Sequence, residues 1–299
     1  MKTTLQNLLA TGKTLVADGG MGSLLFARGL VRGAAPELWN VERPDDIRAV
    51  HRDYIQAGAQ IVLTNSFGGN RLRLDLHDLG SRVAELNQAA ARLARMEADA
   101  VPQPVVVGGS MGPTGQLLAP LGTLDFDEAV NLFCEQAMAL VAGGVDVLWV
   151  ETMSDLEEIR AAVEGIRCAA PGFPIVTTLT FDANGRTMMG TTPEKALSAL
   201  YEFGVVALGG NCGNGPAEIE GVITKMHAAN PAVALVAKAN AGLPHMDGER
   251  AIYDATPEVM ADYARRVQAQ GARIIGACCG STPDHIRAIA GAVAEGHPV

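Results

Sequence analysis

A regular alternation of short apolar runs with longer stretches of helical periodicity is the feature that most constrains the fold of this chain. Short β-branched runs that alternate with helices are typical of repeated βα units on a parallel sheet. Eight runs have strand character: residues 14–18, 60–64, 104–108, 145–150, 174–180, 205–208, 233–238 and 273–276. Eight helical stretches follow them in turn: residues 45–57, 81–98, 126–142, 155–168, 193–203, 216–228, 257–270 and 283–294.

These units predict an α/β fold, a single (β/α)8 TIM barrel, rather than two doubly wound halves, because no Ser/Pro-rich linker or change in composition divides the chain. Barrels of this kind routinely exceed 200 residues as one unit. We therefore assign residues 1–299 to one domain. One long segment, residues 26–44, separates the first strand from the first long helix, and we expect it to lie over the mouth of the barrel.

The charge and composition exclude several classes of partner. Lys and Arg number 23 against 33 Asp and Glu, which gives a formal charge of −10. An acidic surface repels nucleic-acid phosphates and anionic lipids, so we expect neither a nucleic acid nor a membrane as partner. A small neutral or zwitterionic ligand fits better. The first residues contain no apolar run of secretory length, and the sequence predicts a cytoplasmic protein.

The five cysteines are odd in number and include an adjacent pair, which is a poor basis for disulfides in a chain of this length. Cys134 and Cys168 lie inside amphipathic helices, where we expect them only to pack. Cys212, Cys278 and Cys279 lie beside glycines at the ends of the sixth and eighth predicted strands. Active sites of barrels form at the carboxyl ends of the strands, so these three thiols are predicted to meet at one rim.

Three thiolates with an open fourth position are typical of a catalytic Zn²⁺ site, in which substrate or water completes the coordination. Such a metal activates water weakly but is a soft partner for a substrate thiol. Metal binding matters here because a free thiol, with a pKa of ~8.5, is mostly protonated near neutrality. The three cysteines therefore predict sulfur alkylation with Zn²⁺ as cofactor, and the alternative is that they pack as small apolar side chains.

Two carboxylates, Asp18 and Glu151, end the first and fourth predicted strands. A lone acid at a strand end is often a cap or a loop bond, whereas two acids near a thiol cluster are suited to hold the ammonium group of an amino acid. The turn at residues 18–22 lacks the third glycine of a dinucleotide-binding fingerprint, because Leu25 stands there. We expect its glycines to let backbone amides approach a ligand carboxylate.

Five segments resemble, in order, the motifs of the homocysteine S-methyltransferase family: DGGMG at 18–22, GSMGPTG at 109–115, ETM at 151–153, NCGNGP at 211–216 and GACCG at 276–280. The family includes betaine–homocysteine methyltransferases, enzymes that use S-methylmethionine, and the homocysteine module of cobalamin-dependent methionine synthase. The resemblance covers nearly the whole chain. It implies a zinc-bearing barrel that transfers a methyl group to homocysteine and forms methionine.

The resemblance implies that Cys212, Cys278 and Cys279 bind zinc and serve catalysis, and that Asp18 and Glu151 hold the homocysteine ammonium. Other residues of the matching motifs are predicted to bind substrate: Gly19, Gly20, Met21 and Asn211. Ala277 stands where many members have glycine, a change that should not disturb the ligands. The chain lacks the long carboxyl-terminal arm that tetramerises animal betaine enzymes, so the resemblance leaves open whether it forms a homo-oligomer.

The resemblance leaves the methyl donor open as well. Trp39 lies where betaine enzymes have a tryptophan that contacts the trimethylammonium group, which favours a small onium donor, betaine first and a sulfonium second. Gly68 and Thr152 stand where those enzymes have tyrosines, so Phe67 or Phe181 would have to complete the enclosure.

The segment at residues 239–244 is more similar to the methionine synthase module. The alternative is therefore a subunit that presents homocysteine to a separate corrinoid protein and uses no small donor of its own.

Overall fold

The computed structural model describes residues 3–247 and 250–296. Its strands in chain order are β1 (Leu15–Val16), β2 (Ile61–Leu63), β3 (Val106–Met111), β4 (Val147–Met153), β5 (Ile175–Leu179), β6 (Ala207–Cys212), β7 (Leu235–Ala239), β8 (His245–Asp247), β9 (Arg250–Ile252) and β10 (Ala272–Ala277). Eight of them form one parallel sheet in the order β1-β10-β7-β6-β5-β4-β3-β2. A parallel bridge between Ala17 and Ile61 joins β1 to β2 and closes the barrel.

The helices surround this barrel. In chain order they are α1 (Leu5–Ala10), α2 (Met21–Ala27), α3 (Trp39–Glu42), α4 (Pro44–Gln56), α5 (Arg71–Asp75), α6 (Val83–Asp99), α7 (Phe126–Gly143), α8 (Leu156–Ala169), α9 (Pro193–Glu202), α10 (Pro216–Ala229), α11 (Pro257–Ala269) and α12 (Pro283–Glu295). Two short 3₁₀ turns, Pro36–Leu38 and Gly80–Arg82, are added. The predicted (β/α)8 TIM barrel is confirmed, and the assignment of residues 1–299 to one domain stays a prediction.

Each of the eight predicted helices is present, with ends within two residues of the expected ones. Proline at the first helical position sets several of these starts, because its fixed φ suits a helix and no hydrogen bond is lost there. Thr256 and Thr282 cap α11 and α12 just before such prolines. The structure adds the antiparallel pair β8–β9 between β7 and α11, which the sequence did not indicate.

The strands alternate between two hydrophobic layers, as the twofold period of a β-strand requires. Side chains such as Val62, Val107 and Leu148 pack outward against the helices. Their neighbours Ile61, Val106, Val147 and Trp149 fill the barrel interior. Leu5 and Leu8 of α1 join that interior cluster at the amino-terminal ends of the strands, so this end of the barrel is apolar and covered.

Two cysteines meet on the outer helices, away from the barrel interior. Cys134 on α7 and Cys168 on α8 bring their sulfurs to 3.2 Å from each other on adjacent helices, with Cys168 exposed.

No helix within residues 3–247 and 250–296 is both long enough and apolar enough to cross a bilayer.

Candidate active site

A cavity of about 390 Å³ opens at the carboxyl ends of the barrel strands. Its walls come from the turn after β1, the loop after β2, the ends of β3, β4, β6 and β7, and the loop after β10. Pro36 and Glu37, from the long segment between α2 and α4, also line it, so this segment lies at the mouth as expected. The cavity is therefore where barrel enzymes bind their substrates.

The strand register brings the three predicted thiols together. Cys212, the last residue of β6, is opposite Ala239 on β7, and Ala239 is opposite Ala277 on β10. Cys278 and Cys279 follow directly, at the same rim. The three Sγ atoms lie within 4.8 Å of one another, and those of Cys212 and Cys278 are 2.7 Å apart. The predicted meeting of these side chains is thus present in the structure.

An unusual backbone conformation aims two residues at this cluster. Cys212 has φ of +59° and Thr152 has φ of +62°, a left-handed region that non-glycine residues seldom adopt. Between them lies Asn211, whose Nδ2 donates to Thr152 Oγ1 at 2.7 Å and lies 3.4 Å from Cys212 Sγ and 3.9 Å from Cys278 Sγ. Strain of this kind persists where the surroundings enforce it, and it concentrates at functional sites.

Asn211 is fully buried behind the thiols and does not line the cavity. Its contact with substrate stays a prediction, and in the structure its amide contacts the sulfurs.

The cluster favours negative charge on sulfur. Hydrogen bonds with the thiols of Cys212 and Cys278 hold the pKa of Cys279 well below its usual range. Hydrogen bonds with Cys278 and Cys279, together with burial, raise the pKa of Cys212. One thiolate is thus stabilised by two protonated thiols. A cation between them would favour ionisation of all three.

This donor set suits a soft divalent metal. Tetrahedral zinc with Zn–S bonds of about 2.3 Å separates its sulfurs by about 3.8 Å. The three Sγ atoms already lie within 4.8 Å, and all three cysteines are partly accessible from the cavity. A catalytic site of this type needs its fourth position open to substrate, which an accessible cavity wall provides.

The two predicted carboxylates also face this cavity. Asp18 Oδ1 accepts from Lys238 Nζ at 2.6 Å, and its Oδ2 accepts from the Leu63 amide at 2.7 Å. Burial raises the pKa of Asp18, although Lys238 opposes that effect. Glu151 Oε1 accepts from Ser110 Oγ at 2.5 Å, and burial raises the pKa of Glu151 to about 7. Both acids thus sit in a buried polar pocket beside the thiols.

Two residues of this pocket were not predicted. Lys238 is 1% exposed and forms the buried ion pair with Asp18, while Ser110 fixes one oxygen of Glu151. A signal for Lys238 was present in the sequence, because a lysine interrupts the otherwise apolar β7 run Leu235–Ala239. Ser110 lies in the GSMGPTG motif at 109–115, but its residue type gave no signal of its own, since serine occurs commonly near strand ends.

The glycine turn packs against the cysteine loop. Gly19, Gly20 and Met21 line the cavity as predicted. A Cβ on Gly20 would come within 2.7 Å of the Cys278 carbonyl oxygen, so only glycine allows this approach. The expectation that this turn's amides meet a ligand carboxylate needs correction at Gly20, whose amide already donates to Ser281 Oγ at 2.9 Å.

Trp39 does not reach the cavity. It is 8% exposed, belongs to the hydrophobic core, and has the Arg43 guanidinium 4.0 Å from its ring centroid. The ring face that was expected to meet a donor cation is thus next to a protein cation. Phe181 is also buried in the core, whereas Phe67 lines the cavity.

The fold and site define a barrel enzyme with a three-thiol centre and buried carboxylates at its catalytic rim. A family description, Homocysteine S-methyltransferase, matches residues 15–293. The chain belongs to the homocysteine S-methyltransferase family.

Known relatives and structures agree with this membership. Methionine synthase of Mycobacterium tuberculosis is 36% identical over 299 aligned positions, which cover 95% of this chain and 25% of that protein. This chain therefore spans about a quarter of the length of that relative. The homocysteine methyltransferase MmuM from Escherichia coli, in its oxidised form, is 29% identical with a TM-score of 0.80, covering 95% of this chain and 98% of that one. Its metallated form has 28% identity and the same TM-score, covering 96% and 99%.

Proposed function

We propose that this chain transfers a methyl group from a small onium donor to the thiol of homocysteine and so forms methionine, with Zn²⁺ as cofactor. The observation that carries the proposal is the placement of three thiols on the wall of a cavity that also holds buried carboxylates. Thiol ligands suit a substrate sulfur, and carboxylates suit the ammonium of an amino acid. The relatives described above support homocysteine as the acceptor.

Cys212, Cys278 and Cys279 would hold the zinc, and Asn211 would keep two of their sulfurs oriented through its side-chain amide. When bound, Zn²⁺ lowers the pKa of a thiol at its fourth position and so supplies the thiolate nucleophile at neutral pH. The free thiols that this site requires are maintained in the cytoplasm, which is the proposed location.

The buried polar groups would bind the amino-acid end of homocysteine. Ser110 holds one oxygen of Glu151 and leaves the other to accept from the ammonium group. Asp18 keeps lone pairs for a second contact, because a carboxylate accepts up to about four hydrogen bonds and protein donors use two of them. Gly19 and Met21 form the wall beside them.

The donor would enter from the mouth. The homocysteine sulfur forms a bond to the donor methyl carbon, the C–N or C–S bond of the onium breaks, and its electron pair stays on the neutral amine or thioether. Betaine is our first candidate and a sulfonium such as S-methylmethionine is the second, since a cavity of about 390 Å³ suits a compact donor. Donor contact by Trp39 stays a prediction, and its position in the core argues for a packing role.

A second candidate is favoured by the relationship to methionine synthase, of which this chain spans only a quarter. In that case the chain would present activated homocysteine to a corrinoid protein. An assay of methionine formation with purified chain, zinc, homocysteine and betaine separates the two candidates. A parallel assay replaces betaine with a sulfonium. We expect methionine with a small donor alone. Turnover only with a methylated corrinoid protein would contradict the onium proposal.

Cys279→Ala tests the metal assignment. We expect loss of bound zinc and a fall in activity of at least about a thousandfold, more than the 10–100-fold typical of residues that merely support a ligand. Metal analysis and methionine formation are the measurements. Cys168→Ala is the matched control, because that thiol lies on α8 outside the cluster. If Cys279→Ala retained both zinc and activity, the three-thiol site would be wrong.

A further inference from the structure

Glu37 is a buried carboxylate in the cavity wall that the proposed chemistry does not yet use. It lies in the 3₁₀ turn of the long segment at the mouth, is 5% exposed, and lines the same cavity as the three thiols. One oxygen, Oε1, accepts from the Gly68 amide at 2.7 Å. Among residues 3–245 and 252–296, whose side chains the structure describes, no Lys, Arg or His nitrogen forms an ion pair with it.

A buried carboxylate without a paired cation is costly, because burial removes water from the charge. Burial accordingly raises the pKa of Glu37, while hydrogen bonds to backbone amides and the charges of His77 and Arg73 act in the opposite direction. A hydrogen bond to Gly68 could be made equally well by a neutral amide. A carboxylate at this position would attract a positively charged ligand in the cavity more strongly than a neutral amide would.

The surroundings of Glu37 supply the other parts of a subsite. Phe67, from the loop after β2, is 37% exposed and lines the cavity. Arg73 and His77 also line it from the exposed side. The Arg73 guanidinium has no carboxylate partner among residues 3–245 and 252–296, whereas nearby Arg71 is paired with Glu135 and does not line the cavity.

These residues line the same cavity as the three thiols, on the side of β2. Glu37 bonds to the loop that follows β2, and in the order of the eight-stranded sheet β2 is diametrically opposite β6, which carries Cys212. A donor bound on the β2 side would lie in the same cavity as a substrate sulfur bound at the thiol cluster. That arrangement suits a transfer between two small molecules.

We propose that Glu37, Phe67 and Arg73 form the donor subsite, and that this subsite selects zwitterionic onium compounds. The proposal deepens the function proposed above and rests on it. Glu37 faces the permanent cation, which has no N–H or S–H to donate and is recognised by charge and by aromatic faces. Arg73, nearer the solvent, binds the donor's carboxylate through its fork of N–H groups.

The test compares matched donors with and without a carboxylate. Dimethylsulfonioacetate is paired with trimethylsulfonium, and betaine is paired with choline. For the wild-type enzyme we expect kcat/KM at least about tenfold higher for the carboxylate donor of each pair, the effect of one charge-assisted contact.

Three variants then assign the contacts. Glu37→Gln keeps an acceptor for the Gly68 amide but removes the charge, so KM should rise about tenfold or more for both members of each pair, with the melting temperature unchanged. Arg73→Gln should lower kcat/KM only for the carboxylate donors. Arg71→Gln is the control and should alter neither. The KM for homocysteine should stay the same throughout.

The possible results distinguish a failure of the donor subsite from a failure of the proposed methyl transfer. If the wild-type enzyme methylates homocysteine with an onium donor but Glu37→Gln leaves the donor KM unchanged, the subsite is wrong and the proposed function stands. If Arg73→Gln affects both members of a pair equally, the carboxylate contact is wrong. If the wild-type enzyme binds zinc and homocysteine but uses no onium donor, both proposals are wrong about the donor.

Discussion

The two ends of the barrel interior differ in chemistry although the same strands build both. At the amino-terminal end Val147 and Trp149 of β4 point inward into an apolar cluster that α1 covers. Two residues further along β4, Glu151 occupies the next inward position and faces the open cavity. The same change occurs on β3, from Val106 through a glycine to Ser110. Each of these two strands thus contributes apolar packing near its amino-terminal end and polar, reactive side chains near its carboxyl-terminal end.

The structure of the reactive end therefore depends on hydrogen-bond and ion-pair partners for its buried charges rather than on apolar packing. Charges at the carboxyl-terminal end are buried, and each carries a desolvation cost that only hydrogen bonds or an opposite charge offset. Lys238 joins the two levels, because its ammonium pairs with Asp18 and lies 5.9 Å from the Trp149 ring centroid. Substitutions at the apolar end should therefore change stability alone, and those at the reactive end should change function.

Lys238→Met should have the largest effect, because this substitution should reduce stability and activity together. It leaves Asp18 buried without its counter-ion, and loss of one partner of a buried pair costs about 3–5 kcal/mol. We expect a large fall in the free energy of unfolding, measured in urea, together with loss of activity. The double variant Asp18→Asn/Lys238→Met should recover most of the stability and remain inactive. Recovery of activity in the double variant would contradict a functional role for the pair.

Leu5→Ala should sharpen the comparison from the apolar end. Leu5 is fully buried where α1 meets the barrel interior, and a Leu→Ala change in such a place costs about 3 kcal/mol. We expect that loss in urea unfolding, with zinc content and the KM for homocysteine unchanged. Leu9→Ala, on the same helix but only partly buried, is the control and should cost less. A change in homocysteine KM for Leu5→Ala would mean that the two ends are coupled.

The pH dependence of homocysteine use should show the smallest effect. Only ionised Glu151 attracts an ammonium group, and its pKa is raised to about 7 by burial, so kcat/KM for homocysteine should rise as pH increases through about 7. Ser110→Ala removes a hydrogen bond that lowers the pKa of Glu151, so the rise should move to higher pH.

Glu151→Gln is the control for that profile, because it has no carboxylate to titrate. The rise near pH 7 should disappear in this variant, along with about tenfold to a hundredfold in homocysteine affinity. A profile unchanged in both variants would assign the ionisation to another group.

The sequence predicted the helices well, because proline and threonine at their starts are local signals that tertiary packing did not override. It ended several strands too early. Residues such as Ser110, Glu151 and Asn211 were predicted to lie at or beyond strand ends, yet β3, β4 and β6 continue through them. Polar residues commonly mark the end of a buried strand in a sequence. Here they lie within the strands and face a polar cavity.

The site was predictable where residue type alone specified chemistry, as for the three cysteines. It was not predictable where a contact across the barrel decides the role. The pairing of Lys238 with Asp18 joins residues 220 positions apart, and Glu37 depends on the fold of the segment at the mouth. Trp39 shows the converse, because a plausible residue type was placed in the core by packing that its local sequence does not reveal.

The register across β6, β7 and β10 also has a consequence for how the enzyme is made. Cys212 leaves the ribosome well before Cys278 and Cys279, which come with the last βα unit of the barrel. A nascent chain with seven barrel strands therefore has one of the three thiols. The centre is completed only when β10 inserts between β7 and β1, the same event that closes the barrel. Completion of the three-thiol cluster is thus coupled to closure of the barrel.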